Sequence, residues 1–293
     1  MIEAGRFRRN SQGLSEVDKF METTDSSLKN VIRAYETYDE DKRLEADNVR
    51  RLEFMTTLVY MNKYLKEGDK VLDVAAGGGA YALYYAARGL DVTALDITPS
   101  YVEIIRRKAR EQNLSIESFQ NDARDLSMFP DETFDTVFCM GPIYHLVEAA
   151  DRRRALAESL RVLKRGGMLY VAYINKFFTF AHLATQNKQF LQEKWYQTII
   201  EQGAMKSDDP DCFWTDAWFS KPSEMEAMLS EFPVRVCHHL AQDGTARMLA
   251  ERINDLKPAY FNRWADYHIR TCEEPSILGS SNHGLIIARK HDW

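Results

Sequence analysis

Apolar positions along the chain follow two different periods. Through residues 1–66 they keep helical spacing, with Leu28, Val31, Ile32 and Tyr35 on one stripe and Phe54, Leu58, Met61 and Leu65 on another. Neither stripe has a strand to cover within its own stretch, so both helices must pack on something later. From Lys70 onward, short apolar runs alternate with amphipathic helices, the signature of parallel βαβ units. The pattern predicts strands over 71–75, 92–95, 115–119, 134–140 and 168–174, with helices near 81–88, 99–113 and 152–164. Thr98 reads as the N-cap of the second of these helices and Pro99 as its first residue. Gly166 and Gly167 mark the stop of the third. This alternation gives an open, doubly wound α/β sheet, and apolar runs at 234–239 and 285–289 extend it to seven strands. Two stretches interrupt the beat. One follows Ile174 for about 45 residues and carries Phe177, Phe178, Phe180, Phe190, Trp195, Tyr196, Phe213, Trp214, Trp218 and Phe219; the other runs through about 241–283.

Length and composition narrow the class. At ~150 residues per domain, 293 residues make two domains or one enlarged α/β domain. Apolar residues at 45% and charged residues at 28% suit a packed core and exclude a disordered or low-complexity chain. The 38 basic and 44 acidic side chains leave a charge of −6, which repels a phosphate backbone, so no nucleic-acid partner is expected. The basic runs 106–110 and 152–154 lie on outer helices with acidic neighbours and read as solvated faces. No apolar run is long enough to span a membrane or serve as a signal-peptide core, and a cytoplasmic location is expected. Cys139, Cys212, Cys237 and Cys272 are spaced by 73, 25 and 35 residues, which fits neither a metal knuckle nor a disulfide framework. Adjacent His238 and His239 would face opposite sides of a strand. No metal site is proposed.

The most informative segment is VLDVAAGGGAY, residues 71–81, in which an apolar strand ends near Asp73 and runs into three glycines. Glycine lets backbone approach a ligand closely and adopt positive φ, so a nucleotide or nucleoside is the expected neighbour. Asp96, 23 residues after Asp73, closes the second strand, where a carboxylate can accept from both hydroxyls of an unsubstituted ribose. Dinucleotides on G-x-G-x-x-G and S-adenosylmethionine on a shorter turn both meet these requirements. With Ala75, Gly77 and Gly79 in the glycine positions the spacing favours the second ligand. Asp73 then orders the turn and holds the ligand's ammonium group, which a dinucleotide lacks.

At this point the chain resembles the class I S-adenosylmethionine-dependent methyltransferases, in particular the bacterial small-molecule type with an N-terminal helical cap. The resemblance runs from about Tyr35 to Asn175 through VLDVAAGGG, ALDITP, NDARDL, FDTVFCMGPIYHL and LKRGGMLYVA in order. It implies a Rossmann-like fold with S-adenosylmethionine as cofactor and a small-molecule methyl acceptor. It further implies a cap at 1–66, a cofactor-binding core at 67–175, a lid insertion at 176–221 and completion of the sheet at 222–293. By this similarity Asp73, Ala75, Gly77 and Gly79 cradle the methionine end, Asp96 and Ile97 the ribose, and Asp122 and Ala123 the adenine, with Met140 beside the cofactor. Ala75 departs from the glycine common in the family, and its methyl group would narrow the pocket or shift the turn.

A sulfonium already activates its methyl group, so in-line displacement needs chiefly an aligned nucleophile, an effect worth up to ~7–11 kcal/mol. A base is required only where the acceptor must lose a proton. Tyr144 and His145, just past the fourth strand, stand where an acceptor would sit, and His145 is the best candidate base, against the alternative of a histidine that only positions the cofactor or packs under the lid. Arg43 on the cap could pair with the cofactor's carboxylate and Tyr38 could cover the sulfonium, against the alternative of a solvated charged helix. Most lid aromatics are expected in core, with one or two at a pocket. Competing functions are methylation of RNA or protein, non-catalytic binding of S-adenosylmethionine, and NAD-dependent oxidoreduction. The acceptor's identity and the oligomeric state are not legible.

Overall fold

A computed structural model describes Phe20 and residues 24–38 and 40–291. A seven-stranded sheet has the order β3-β2-β1-β4-β5-β9-β8, formed by β1 (Lys70–Asp73), β2 (Asp91–Asp96), β3 (Ile116–Gln120), β4 (Phe134–Cys139), β5 (Leu163–Ile174), β8 (Val234–Ala241) and β9 (His283–Lys290). A separate two-stranded ribbon joins β6 (Ala204–Met205) to β7 (Ala217–Trp218). Pairings from β3 across to β5 are parallel, and β9 runs antiparallel to both β5 and β8. Strand order reverses at the β1–β4 boundary, so a crevice opens at the carboxyl ends of those two strands, where ligands of such sheets bind. Because β9 is reversed, it starts at that same edge: its first residue, His283, pairs with Ile174, the last of β5.

The cap is made by α1 (Ser26–Glu36) and α2 (Asn48–Met61). Asp25 and Asp47 cap them, accepting from the backbone of Leu28 and Arg50. Leu28 joins the core on one face of the sheet, and Tyr60 and Met61 join the core on the other. Val49 and Leu52 pack on Ile253, Phe261 and Ala265 of the second interruption, so α2 finds much of its cover some 200 residues away. The core helices are α3 (Ala80–Ala86), α4 (Pro99–Glu111) and α5 (Ala149–Val162). Thr98 is the N-cap of α4 with Pro99 inside it, but the Thr98 side chain makes no capping bond there.

Several strand boundaries move by one or two residues, and the start of β5 by five. β1 stops at Asp73 because residues 74–79 form the ligand-edge turn. β5 begins at Leu163, five residues before the expected start, since α5 ends at Val162 and Gly166 (φ 71°) is carried within the extended segment. The first interruption folds as α6 (Lys176–Gln186), further short turns and the β6–β7 ribbon, around its own core of Phe190, Trp195, Ile199, Met205, Ala217 and Phe219. The second holds α8 (Pro258–Thr271), and between the two α7 (Pro222–Leu229) covers the sheet. His238 and His239 face opposite ways: the first meets Tyr64 and Glu273, the second Tyr173 and Glu226. Among the described residues no helix is long and apolar enough to cross a membrane.

Candidate active site

The turn after β1 is built by backbone that favours glycine. Gly77 and Gly79 lie at φ 53° and 82°, in the left-handed region. A Cβ on Gly79 would stand 2.8 Å from Ile105 Cγ1, so this glycine also lets α3 meet α4. The Gly77 N–H donates to Asp96 Oδ2 and the Thr98 N–H to Asp96 Oδ1, both at 2.8 Å. Asp96 thus ties the turn to the start of α4, with the Thr98 hydroxyl also bonded to it, and its oxygens keep further lone-pair capacity for a ligand. Burial pushes Asp96 up to about 6. Burial, with Asp96 nearby, pushes Asp73 up to about 7. Asp73 is 2% exposed and forms no ion pair among the described residues. A buried carboxylate without a cation beside it is a place where a ligand cation is favoured.

Around this turn a cleft is lined by Asp73, Ala75, Gly77, Asp96, Ile97, Asp122, Ala123, Met140, Tyr144 and His145, and Gly79 supports it from behind. Residues expected separately from four strand ends therefore share one hollow. The methyl group of Ala75 is accommodated because residue 141 is glycine: a Cβ there would lie 2.7 Å from Ala75 Cβ. Asp122 is already engaged, accepting from the Arg124 N–H at 2.9 Å and from its guanidinium at 2.7 Å. Arg124 also reaches Asp25 at the start of α1 and Asp151 on α5. Asn121, Thr98, Tyr101 and Leu146 line the cleft as well, none of them expected from the sequence as a site residue.

The cap closes the cleft from above. A Cβ on Gly78 would fall 2.8 Å from Asp41 Cα, and Lys108 of α4 forms an ion pair with Asp41. The Tyr101 hydroxyl lies 3.1 Å from the Tyr35 carbonyl and 2.8 Å from that of Tyr38, holding the end of α1 to the core. Arg43 lines the cleft, and its Nε donates to Glu40 at 2.5 Å and its two Nη atoms to Glu53 at 2.8 and 2.9 Å. Burial alone would raise Glu53; the guanidinium outweighs it and holds the carboxyl down at about 2. Tyr38 is 46% exposed and does not line this cleft. The aromatic ring that α1 turns inward is Tyr35, one helical turn earlier and on the apolar stripe already visible in the sequence.

His145 is buried with both ring nitrogens occupied. Nδ1 lies 3.0 Å from the Asp216 carbonyl, which only accepts, so Nδ1 carries the proton and Nε2 accepts from the Tyr35 hydroxyl at 2.8 Å. Burial pushes its pKa down to about 4. The geometry is that of a neutral, positioning imidazole that ties α1 to the loop before β7. Trp214 packs edge-on against the same ring at 4.9 Å. Tyr144 lies beside it, its hydroxyl 3.4 Å from the Met140 carbonyl.

A second hollow adjoins the first and shares Tyr35, Glu40, Arg43 and Tyr144 with it. Its far wall comes from both interruptions: Phe178, His182, Phe213, Trp214 and Phe219 from the first, Arg247, Asn282 and His283 from the second and its edge. Tyr38 and Arg50 lie on this hollow. Trp218 is elsewhere, under the Arg152 guanidinium at 3.8 Å. At the back of the hollow Glu53, Asp243 and His283 bring ligand-type atoms within 4.8 Å of one another. Both Glu53 oxygens already face Arg43, and Asp243 Oδ1 takes the Ser281 hydroxyl at 2.6 Å and the Asn282 N–H at 2.8 Å. With a guanidinium and hydrogen-bond donors supplying the countercharge, this corner reads as a hydrogen-bonded cluster rather than a metal centre.

Residues 71–167 match a methyltransferase-domain family. The chain is 29% identical over 215 residues, 73% of its length and 78% of the relative's, to a ubiquinone biosynthesis O-methyltransferase of Xanthomonas euvesicatoria pv. vesicatoria. Among solved structures it resembles an S-adenosylmethionine-dependent methyltransferase of Methanosarcina mazei, with a TM-score of 0.55 at 22% identity over 79% of this chain and 97% of that one. A Pyrococcus horikoshii protein gives a TM-score of 0.58 at 17% identity over 88% and 98% of the two chains. At these identities the structural likenesses speak for the fold.

Proposed function

Because this chain is a class I S-adenosylmethionine-dependent methyltransferase, we propose that it methylates a hydroxyl group on a small ring-bearing acceptor seated in the second hollow. S-Adenosylmethionine is its cofactor and, when bound, supplies an activated methyl carbon with a neutral thioether as leaving group. The residues of the first cleft suit it. Asp73 offers the ammonium a buried carboxylate, Asp96 offers the ribose its remaining lone-pair capacity, and Asn121, Asp122 and Ala123 border the adenine, with Ile97 and Met140 as apolar walls. Backbone at 75, 77 and 79 forms the floor under the methionine end. Three of the five Arg43 N–H groups are used by Glu40 and Glu53, so its part toward the cofactor's carboxylate is limited to the two that remain.

The observation that carries the reading is the junction of the two hollows at Tyr35, Glu40, Arg43 and Tyr144. An acceptor in the second hollow meets the cofactor at that junction, between the cap and residues 176–221. Phe178, Phe213, Trp214 and Phe219 favour a planar acceptor. Arg247 lines the hollow with no ion pair at contact distance among the described residues, although the Glu53 carboxylate feels its charge, and it favours an acidic substituent on the acceptor. Oxygen as the methylated atom rests on the named activity of the Xanthomonas relative. Methyl transfer from labelled S-adenosylmethionine to paired panels of phenols, anilines and thiophenols tests this. Turnover on phenols alone is expected; turnover confined to amines or thiols overturns the assignment to oxygen.

A further inference from the structure

A hydroxyl acceptor must lose a proton, and His145, the histidine nearest the cleft in sequence terms, has neither nitrogen free to take it. We propose that the proton acceptor is His283, the first residue of β9, with Asp243 as its positioning residue. This rests on the reading of the second hollow as the acceptor chamber. His283 lines that hollow, and its Nδ1 lies 3.3 Å from Asp243 Oδ2 and 3.4 Å from Glu53 Oε2. Two carboxylates beside Nδ1 favour the proton on that nitrogen, which leaves Nε2 as the accepting one in a ring that borders the hollow. The Asn282 amide nitrogen lies 3.1 Å from Nδ1 and 3.4 Å from Nε2.

The pair is well anchored. Asp243 is 1% exposed, and its other oxygen accepts from the Ser281 hydroxyl and from the backbone of Asn282 and His283. The reversed direction of β9 brings this histidine to the carboxyl edge of the sheet, where parallel strands present their ends. Around it stand Glu53 and, through it, Arg43; Glu40, Arg50, Arg247 and His182 complete the charged and titratable groups of the hollow, beside the hydroxyls of Tyr35, Tyr38 and Tyr144. In the reaction the acceptor's O–H bond breaks and its proton passes to His283 Nε2. The freed pair on oxygen forms the new bond to the methyl carbon as the carbon–sulfur bond breaks, its electrons leaving with sulfur. The imidazolium so formed faces Asp243 and Glu53, which stabilise it.

The test uses the full-length protein and two kinds of phenol. His283→Gln should lower kcat on an unactivated phenol by roughly 100-fold or more, the usual size of a general-base contribution. The loss should shrink to a few-fold on a nitrophenol already ionised at the assay pH, because no proton remains to be removed. Without cofactor, optical titration of bound 4-nitrophenol should show ionisation at lower pH in the parent than in His283→Gln, with Asp243→Asn between them. Equal kcat losses on both phenols together with an unshifted optical titration would overturn the assignment, as would activity lost to a chelator and restored by magnesium. Failure of the underlying reading looks different: the parent protein itself would methylate no phenol.

Discussion

Asp73 is the residue whose environment makes the sharpest demand. Its carboxyl is held near 7 by burial with Asp96 adjacent, and an ammonium ligand favours the ionised form. Binding therefore releases protons below pH 7 and tightens as pH rises. Calorimetry should find S-adenosylmethionine bound roughly tenfold more tightly at pH 7 than at pH 5.5, below the ~7.7–8.0 range in which an α-amine loses its own proton. Asp73→Asn should flatten that slope; a slope that persists would assign it to another group. The Ala75–Gly141 contact makes a second test at this scale. Gly141→Ala places a methyl group against Ala75 Cβ and should weaken cofactor binding, and adding Ala75→Gly should recover most of the loss, a coupling read from a double-mutant cycle. Asp96→Ala should cost roughly 1–3 kcal/mol of cofactor binding, the worth of charge-assisted hydrogen bonds; unchanged affinity would place the ribose elsewhere.

At the scale of elements, the cap is fastened by charges as much as by apolar contact. Arg43 neutralises Glu53, whose side chain is 5% exposed on α2, so removing the guanidinium strands a buried carboxylate. Arg43→Ala should destabilise the fold by roughly 3–5 kcal/mol, the size seen when one member of a buried pair is deleted. Chemical denaturation checks this, and Arg43→Ala with Glu53→Gln should be less damaging than the single change. The helical stripe through Leu28, Val31, Ile32 and Tyr35 was legible as an amphipathic face. What it would cover was not, because its partners lie on the sheet and in the loop carrying Asp216. The same limit explains Tyr38: it lies near Tyr35 in sequence, but α1 ends at Glu36 and Tyr38 leaves on the chain beyond it.

Across the whole molecule, a ligand bound only by the folded state raises stability by RT ln(1 + [L]/Kd), about 2.7 kcal/mol at a hundredfold excess over Kd. S-Adenosylmethionine and its demethylated product should both raise the urea midpoint in this way, and NAD should not; stabilisation by NAD alone would contradict the cofactor assignment. The catalytic edge draws on chain segments far apart in sequence, since the turn at 75–79, the cap near 40 and the start of β9 at 283 converge on two adjoining hollows.

The succession of strands and helices along the chain, the glycine turn and the carboxylates at the ends of β1 and β2 could all be read from the chain, because each depends on local periodicity or on backbone conformations only glycine reaches cheaply. The same local signals located the two interruptions without saying how they fold. Which histidine has both nitrogens engaged, which arginine is already paired and which residues share one cleft were decided by the tertiary structure. Those properties depend on partners far away along the chain, such as Tyr35 for His145, 110 residues apart. No window along the sequence carries that information, since a side chain's charge and orientation are set by the neighbours that folding brings to it.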